Sequence, residues 1–305
     1  MKQIYLIDKN FENLRIDKWV KKEVIKIPQN FLEKNLRKKN ITVNNLRVKS
    51  SYKLKFNDKV YFKNFQPKEN PHKEKRKYLP NRSEIKSSND FIIEDNENFC
   101  VINKPAGLAV QGGTKITKNL IDILRKNERF KEEQPYIVHR IDRETSGILL
   151  VAKTKKYAQL FTSLFRIRKI HKSYLSICSG EFEQKKGVLE NDLTRFEKKK
   201  EIKEKAKTYF KVLDKNTTSS LLLLNPITGR KHQIRKQLSI INHPIHGDKK
   251  YTFSKIKKEN MNYLMLHAYS IKFMINNKKY EYRANIPDYF EKMLNIKRLK
   301  ISKNF

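Results

Sequence analysis

Apolar residues recur along this chain with two different periods. Leu14, Ile16, Trp19 and Val20, and later Phe31, Leu32 and Leu36, fall at the spacing that gives a helix one apolar face. Pro28 separates the two groups and suits a helix start, where its missing N–H costs nothing. Ile41-Thr42-Val43, the pair Asn44-Asn45 and Leu46-Arg47-Val48 follow. Asn tolerates positive φ, so this segment reads as a tight hairpin. Short alternations around 52–56 and 60–62 complete a small α/β unit over residues 1–66. Residues 67–88 show no hydrophobic period. They carry Pro67, Pro71 and Pro80 and a basic knot of Lys73, Lys75, Arg76 and Lys77, and read as a flexible or extended linker.

Beyond residue 88 the period changes. Short apolar runs predict strands at 91–93, 99–102, 148–152, 174–178, 209–213, 219–224, 266–274 and 280–283. Helical spacing marks 119–127, 157–166 and 230–241. Strands outnumber helices, and several follow one another directly. That order predicts an α+β domain over 89–294 with a mixed, largely antiparallel sheet. The last stretch, 295–305, is basic and is expected to fray.

Composition narrows the partners. The 305 residues include 69 Lys and Arg against 32 Asp and Glu, a net charge of +37. Such a chain attracts polyanions over long range. RNA or DNA is the first expectation and an anionic membrane surface the second. No amphipathic segment with a strong apolar face supports membrane anchoring, and no run approaches 18 apolar residues. Cys100 and Cys178 sit among apolar neighbours and read as buried thiols in a reducing compartment. No Cys or His pair has metal-site spacing. The N-terminal residues lack an apolar run of signal-peptide length. A cytoplasmic, monomeric protein without metal or cofactor is expected.

The candidate chemistry centres on His139-Arg140-Ile141-Asp142-Arg143-Glu144-Thr145-Ser146-Gly147-Ile148. It sets one carboxylate, Asp142, between two arginines at the edge of a strand. Opposite charge nearby favours the ionised carboxylate, which can then act as nucleophile or base. Four further segments stand out. They are Asn103-Lys104-Pro105-Ala106-Gly107, Lys172-Ser173-Tyr174, Thr228-Gly229-Arg230-Lys231-His232-Gln233-Ile234-Arg235, and Gly247-Asp248-Lys249-Lys250-Tyr251. If Arg230 opens a helix, Arg230 and Arg235 lie on different faces of it. One can then meet a buried carboxylate and the other a phosphate.

In this order the motifs resemble those of the RluA-type pseudouridine synthases. The resemblance implies an isomerase that turns uridine into pseudouridine in RNA, needing no cofactor or metal. The N-glycosidic bond breaks, the uracil turns, and C5 bonds to C1′. It implies that Asp142 acts on the ribose and that Arg235 pairs with Asp142. Tyr174 would pack on the flipped uracil, as a further candidate for taking the C5 proton. Arg140 would fill the gap left in the RNA stack, with Arg143 and Arg230 as further RNA contacts. His139 reads as structural.

The first unit resembles the S4 RNA-binding domain through Arg15-Ile16-Asp17-Lys18-Trp19 and the run Leu36-Arg37-Lys38-Lys39-Asn40-Ile41-Thr42-Val43-Asn44, with Asn45 where Gly is usual. Arg15, Lys18, Arg37 and Lys38 are its candidate RNA contacts. An S4 unit joined to this catalytic type is similar to the large-subunit rRNA synthases. Ala109-Val110-Gln111-Gly112-Gly113 is closer to the RluC-like than to the RluD-like pattern, although Gln111 stands where His is common. The partner implied is 23S rRNA or a large-subunit assembly intermediate. A non-catalytic RNA-binding assembly factor on the same scaffold is the alternative.

Overall fold

The computed structural model describes residues 3–25, 27–63, 65, 78–113, 116–131, 134–197, 200–252 and 261–301. The chain divides into two compact units, Met1–Lys75 and Arg76–Phe305.

In the first unit, β1 (Gln3–Leu6) precedes α1 (Ile16–Trp19), which runs on into one wider turn at Val20–Val24. Next come α2 (Gln29–Arg37), β2 (Ile41–Val43) and β3 (Lys59–Phe62). The strands form an antiparallel sheet in the order β1-β3-β2. The residues whose period marks the helices, Ile16, Trp19, Val20, Leu32 and Leu36, form its core with Ile41, Val60 and Phe62. Asn44 and Asn45 both have positive φ, 51° and 62°, and close a tight turn between Val43 and Leu46. The expected second arm of that hairpin, 46–48, is not a strand. Leu46 is exposed, whereas β3 offers the buried Val60 and Phe62, so β2 pairs with β3.

The second unit starts inside the stretch expected to be a linker. Residues 66–77 lie outside the described residues. α3 (Arg82–Ser87) is a capped helix: Asn81 accepts from the Glu84 amide, and the Glu84 carboxylate accepts from the Asn81 amide. This reciprocal capping box overrides the lack of a hydrophobic period.

Ten strands follow: β4 (Ile92–Asp95), β5 (Phe99–Lys104), β6 (Tyr136–Ile137), β7 (Ser146–Ala152), β8 (His171–Ser179), β9 (Lys186–Glu197), β10 (Lys200–Lys215), β11 (Ser219–Pro226), β12 (Leu266–Ile275) and β13 (Lys278–Arg283). Four helices lie between and after them: α4 (Leu120–Leu124), α5 (Lys155–Arg166), α6 (Gln233–Ile240) and α7 (Asp288–Ile296). The sheet runs β4-β5-β7-β12-β8-β11-β10-β9, with β13 on β12 and β6 on β7. Among the described pairings only β12 with β7 is parallel. The fold is therefore α+β with a largely antiparallel sheet, as expected. Gly147 explains how β7 and β12 come so close. Its φ is +104°, and a Cβ there would overlap the backbone of Ala268.

Several elements differ from expectation. The helix expected at 230–241 begins only at Gln233, because His232 adopts a left-handed conformation with φ 55°. β9 escapes the apolar-run criterion because its apolar residues alternate with exposed polar and charged ones. Of the stretch 295–305 expected to fray, the described part is anchored: Leu299 is 4% exposed and the Lys300 amide donates to Asp214, while residues 302–305 lie outside the described residues. Cys100 and Cys178 are both buried and free.

Candidate active site

Asp142 lies on the loop joining β6 to β7, and that loop is held from two sides. At its start, His139 Nε2 accepts a 2.8 Å hydrogen bond from the Leu150 amide, and its ring packs on Phe165. Burial, with the Lys172 charge adding, lowers the His139 pKa to about 3, so the ring stays a neutral acceptor. Its role is structural. At the other end the Arg143 carbonyl accepts from the Gly107 amide at 2.8 Å and from Lys104 Nζ at 3.2 Å. Lys104 is fully buried and also donates to the carbonyls of Pro105 and Leu108. Burial lowers its pKa to about 7, against the opposing pull of Glu144 and Asp142. The Asn-Lys-Pro-Ala-Gly motif is thus the clamp that shapes the Asp142 loop.

The facing wall comes from the segment entering α6. Gln233 ties this entry together: its amide oxygen accepts from the Arg230 amide and Thr228 hydroxyl, and its amide nitrogen donates to Lys207 and Thr208. Arg235, two residues along, is 4% exposed and forks onto Asp248 with bonds of 2.7 and 2.8 Å. Burial opposes its charge, but the hydrogen bonds and charge of Asp248, with Asp142 and Glu144 behind, raise its pKa further. Burial likewise opposes the Asp248 carboxylate, yet Arg235 and the Lys250 and Tyr251 amides hold its pKa below the ordinary range. Gly247, at φ +77°, lets the chain turn into Asp248 where a Cβ would overlap the Tyr263 carbonyl.

Arg235 meets Asp142, as expected, but its tighter partner is Asp248. Its free Nη1 stands 3.7 Å from Asp142 and 3.7 Å from Glu144, so it is an anchored cation shared between two loop carboxylates. Sequence separation hid Asp248, which is 13 residues from Arg235 and joined to it only by a loop. The second group facing Asp142 is His232, whose Nε2 is 3.6 Å away and whose Nδ1 meets the Tyr251 hydroxyl at 2.9 Å. Burial lowers the His232 pKa, and Asp142 opposes that shift. His232 and Tyr251 were both in conspicuous motifs, but neither carried an expected role.

A cavity of 490 Å³ brings Asp142, Tyr174 and Arg235 together, with Arg140, Arg230 and His232 on its walls. Burial, with the Asp142 charge adding, pushes the Tyr174 phenol pKa up. Arg140 is exposed at the rim. Arg143 faces a separate cavity with Pro105 and Leu108. Arg230 is not in the helix, and its guanidinium is taken by Glu204 at 3.0 Å and the Lys205 carbonyl. In the first unit Arg15 forks onto Asp17, while Lys18, Arg37 and Lys38 are exposed. No cluster of metal-ligating side chains occurs among the described residues.

Residues 98–240 match the family described as RNA pseudouridylate synthase. The ribosomal large subunit pseudouridine synthase C of Buchnera aphidicola subsp. Baizongia pistaciae is 33% identical over 289 residues, covering 90% of each chain. This chain belongs to the pseudouridine synthase family. The proteins of the same name from Rickettsia felis and Escherichia coli K12 are 34% and 30% identical. They cover 90% and 85% of this chain and 94% and 84% of their own. Among solved structures, human RNA Pseudouridylate Synthase Domain Containing 4 superposes with a TM-score of 0.62 at 28% identity, over 71% of this chain and 96% of that one.

Proposed function

We propose that this protein isomerises uridine to pseudouridine in the RNA of the large ribosomal subunit, with Asp142 as the reacting carboxylate. The observation that carries this reading is the convergence of Asp142, Tyr174 and Arg235 on one cavity from three distant parts of the chain. Asp142 is 23% exposed, and its contacts with His232 and Arg235 are longer than ordinary hydrogen bonds. Its oxygens are oriented by cation and imidazole but not saturated, so one can approach the ribose. There it attacks C1′ or removes the C2′ proton; either step releases the uracil for rotation and C5 bonding. Tyr174 packs on the uracil. Its raised pKa favours this packing role over proton removal, because the phenolate needed as a base is disfavoured. Flipping a base costs a few kcal/mol, and Arg140 at the rim is placed to fill the vacated stack.

The named relatives, at 30–34% identity, support 23S rRNA or a large-subunit assembly intermediate as substrate, in the RluC-like manner. The reading assigns residues 1–66 to an S4-like module that supplies affinity through phosphate contacts. A 460 Å³ surface hollow lined by Arg37, Arg47 and Lys49 supports that role. Residues 89–294 carry the chemistry. A monomer in the cytoplasm fits the reading, and no described helix is long and apolar enough to cross a membrane. The test is a pseudouridine map of 23S rRNA from cells with and without the protein. At least one modified position should revert to uridine in its absence; identical maps would refute the assignment.

A further inference from the structure

The cavity around Asp142 has a cationic wall that the described residues neutralise only in part. Of the cations lining it, Arg235 is committed to Asp248 and Arg230 to Glu204. Arg140, Arg166 and Lys172 form no salt bridge among the described residues, and Asp142 is the only carboxylate lining the cavity. Arg140 and Arg166 are exposed, so water screens them. Lys172 is different. It is partly buried, its ammonium lies 5.8 Å from the Phe165 ring centre, and its charge helps depress the buried His139. Burial lowers its own pKa. Withdrawing a cation from water without a counter-charge is costly. The strand entry holding it is fixed, because Asn225 donates to the Lys172 carbonyl and the Ser173 hydroxyl. Lys172 and Tyr174 are two residues apart on β8 and share one face of the strand.

We infer that Lys172, with Arg166 lining the same cavity, binds a backbone phosphodiester adjacent to the target nucleotide and so contributes affinity for the RNA strand that carries the uridine. The inference rests on the isomerase reading of this cavity. A phosphodiester is the anionic group that every nucleotide of RNA presents. Tyr174 would hold the base, Asp142 would meet the ribose, and Lys172 would hold the phosphate. That completes a three-point grip on one nucleotide from one strand face and one loop.

The test is a cycle between protein and RNA. Wild type, Lys172→Met and Lys172→Arg are compared on synthetic RNAs copying the 23S rRNA segment that the wild-type protein binds most tightly. Each flanking phosphate is replaced in turn by an uncharged methylphosphonate. Lys172→Met keeps the aliphatic stem on Phe165. It should raise KM and Kd about tenfold with little change in kcat, as expected for one charge-assisted hydrogen bond. At one linkage the methylphosphonate should weaken wild type by a similar factor and leave Lys172→Met unaffected. Lys172→Arg should restore affinity. An unchanged KM and Kd in Lys172→Met, or effects that multiply at every linkage, would overturn the inference. Because the cycle is read by Kd as well as by turnover, a wild-type protein that bound these RNAs without modifying them would refute the isomerase reading while still deciding the phosphate contact.

Discussion

Arg235 reaches Asp142 from a fixed position because Asp248 holds two of its nitrogens. Asp248 in turn accepts from the Lys250 and Tyr251 amides. Removing that carboxylate leaves a buried guanidinium without its main partner. Asp248→Asn should destabilise the protein by about 3–5 kcal/mol in urea unfolding at neutral pH, and should lower kcat because Nη1 is no longer aimed between Asp142 and Glu144. The pH dependence has a definite sign. The folded pKa of Asp248 is depressed, so its stabilisation is fully present above the unfolded carboxylate value of about 3.9 and is lost as pH falls through the folded value. The stability gap between wild type and Asp248→Asn should therefore be level at neutral pH and shrink under acid. A gap that widened on acidification would contradict the pairing. At this scale the residues that converge on the cavity were legible because Asp142, Tyr174 and Arg235 each sit in a distinctive local motif. Asp248 and His232 acquire their roles only through contacts that the fold creates.

Elements became legible in proportion to how apolar they are. β5, β7 and β11 are dominated by buried aliphatic residues, β8 and β12 each hold several, and the expected strands fall inside all five. α3 depends on a capping box, and β9 and most of β10 alternate apolar positions with exposed polar and charged ones, so hydrophobic run length alone misses or shortens them. The start of α6 was misplaced because a left-handed His232, not Gly229, sets it. The end of β5 shows how an element builds the site. Lys104 gathers the carbonyls of Pro105, Leu108 and Arg143 and thereby fixes the Asp142 loop. Lys104→Met fills the same space without donors. Orphaned buried acceptors cost about 1–3 kcal/mol each, so a loss on the order of 3 kcal/mol is expected. Thermal unfolding would measure it, and kcat should fall more than RNA affinity. Wild-type stability in this variant would show that the clamp contributes nothing.

At the scale of the whole molecule, the net charge of +37 far exceeds the few cations that line the cavity around Asp142, of which Arg230 and Arg235 are paired internally. Affinity for RNA should therefore come chiefly from phosphate contacts spread over both units, and fall steeply as salt rises, since each contact releases counterions. Filter binding over a salt series would show this, and a salt-insensitive Kd would contradict it. In the proposed mechanism, by contrast, chemistry is confined to one cavity and one carboxylate. The most direct measurement of that claim is tritium release from unmodified 23S rRNA labelled at uridine C5, comparing wild type with Asp142→Asn. The wild-type protein should release tritium in step with pseudouridine formation. Asp142→Asn should fold and bind the RNA as wild type does, yet release none. Full release by the variant, or none by the wild type, would contradict the account.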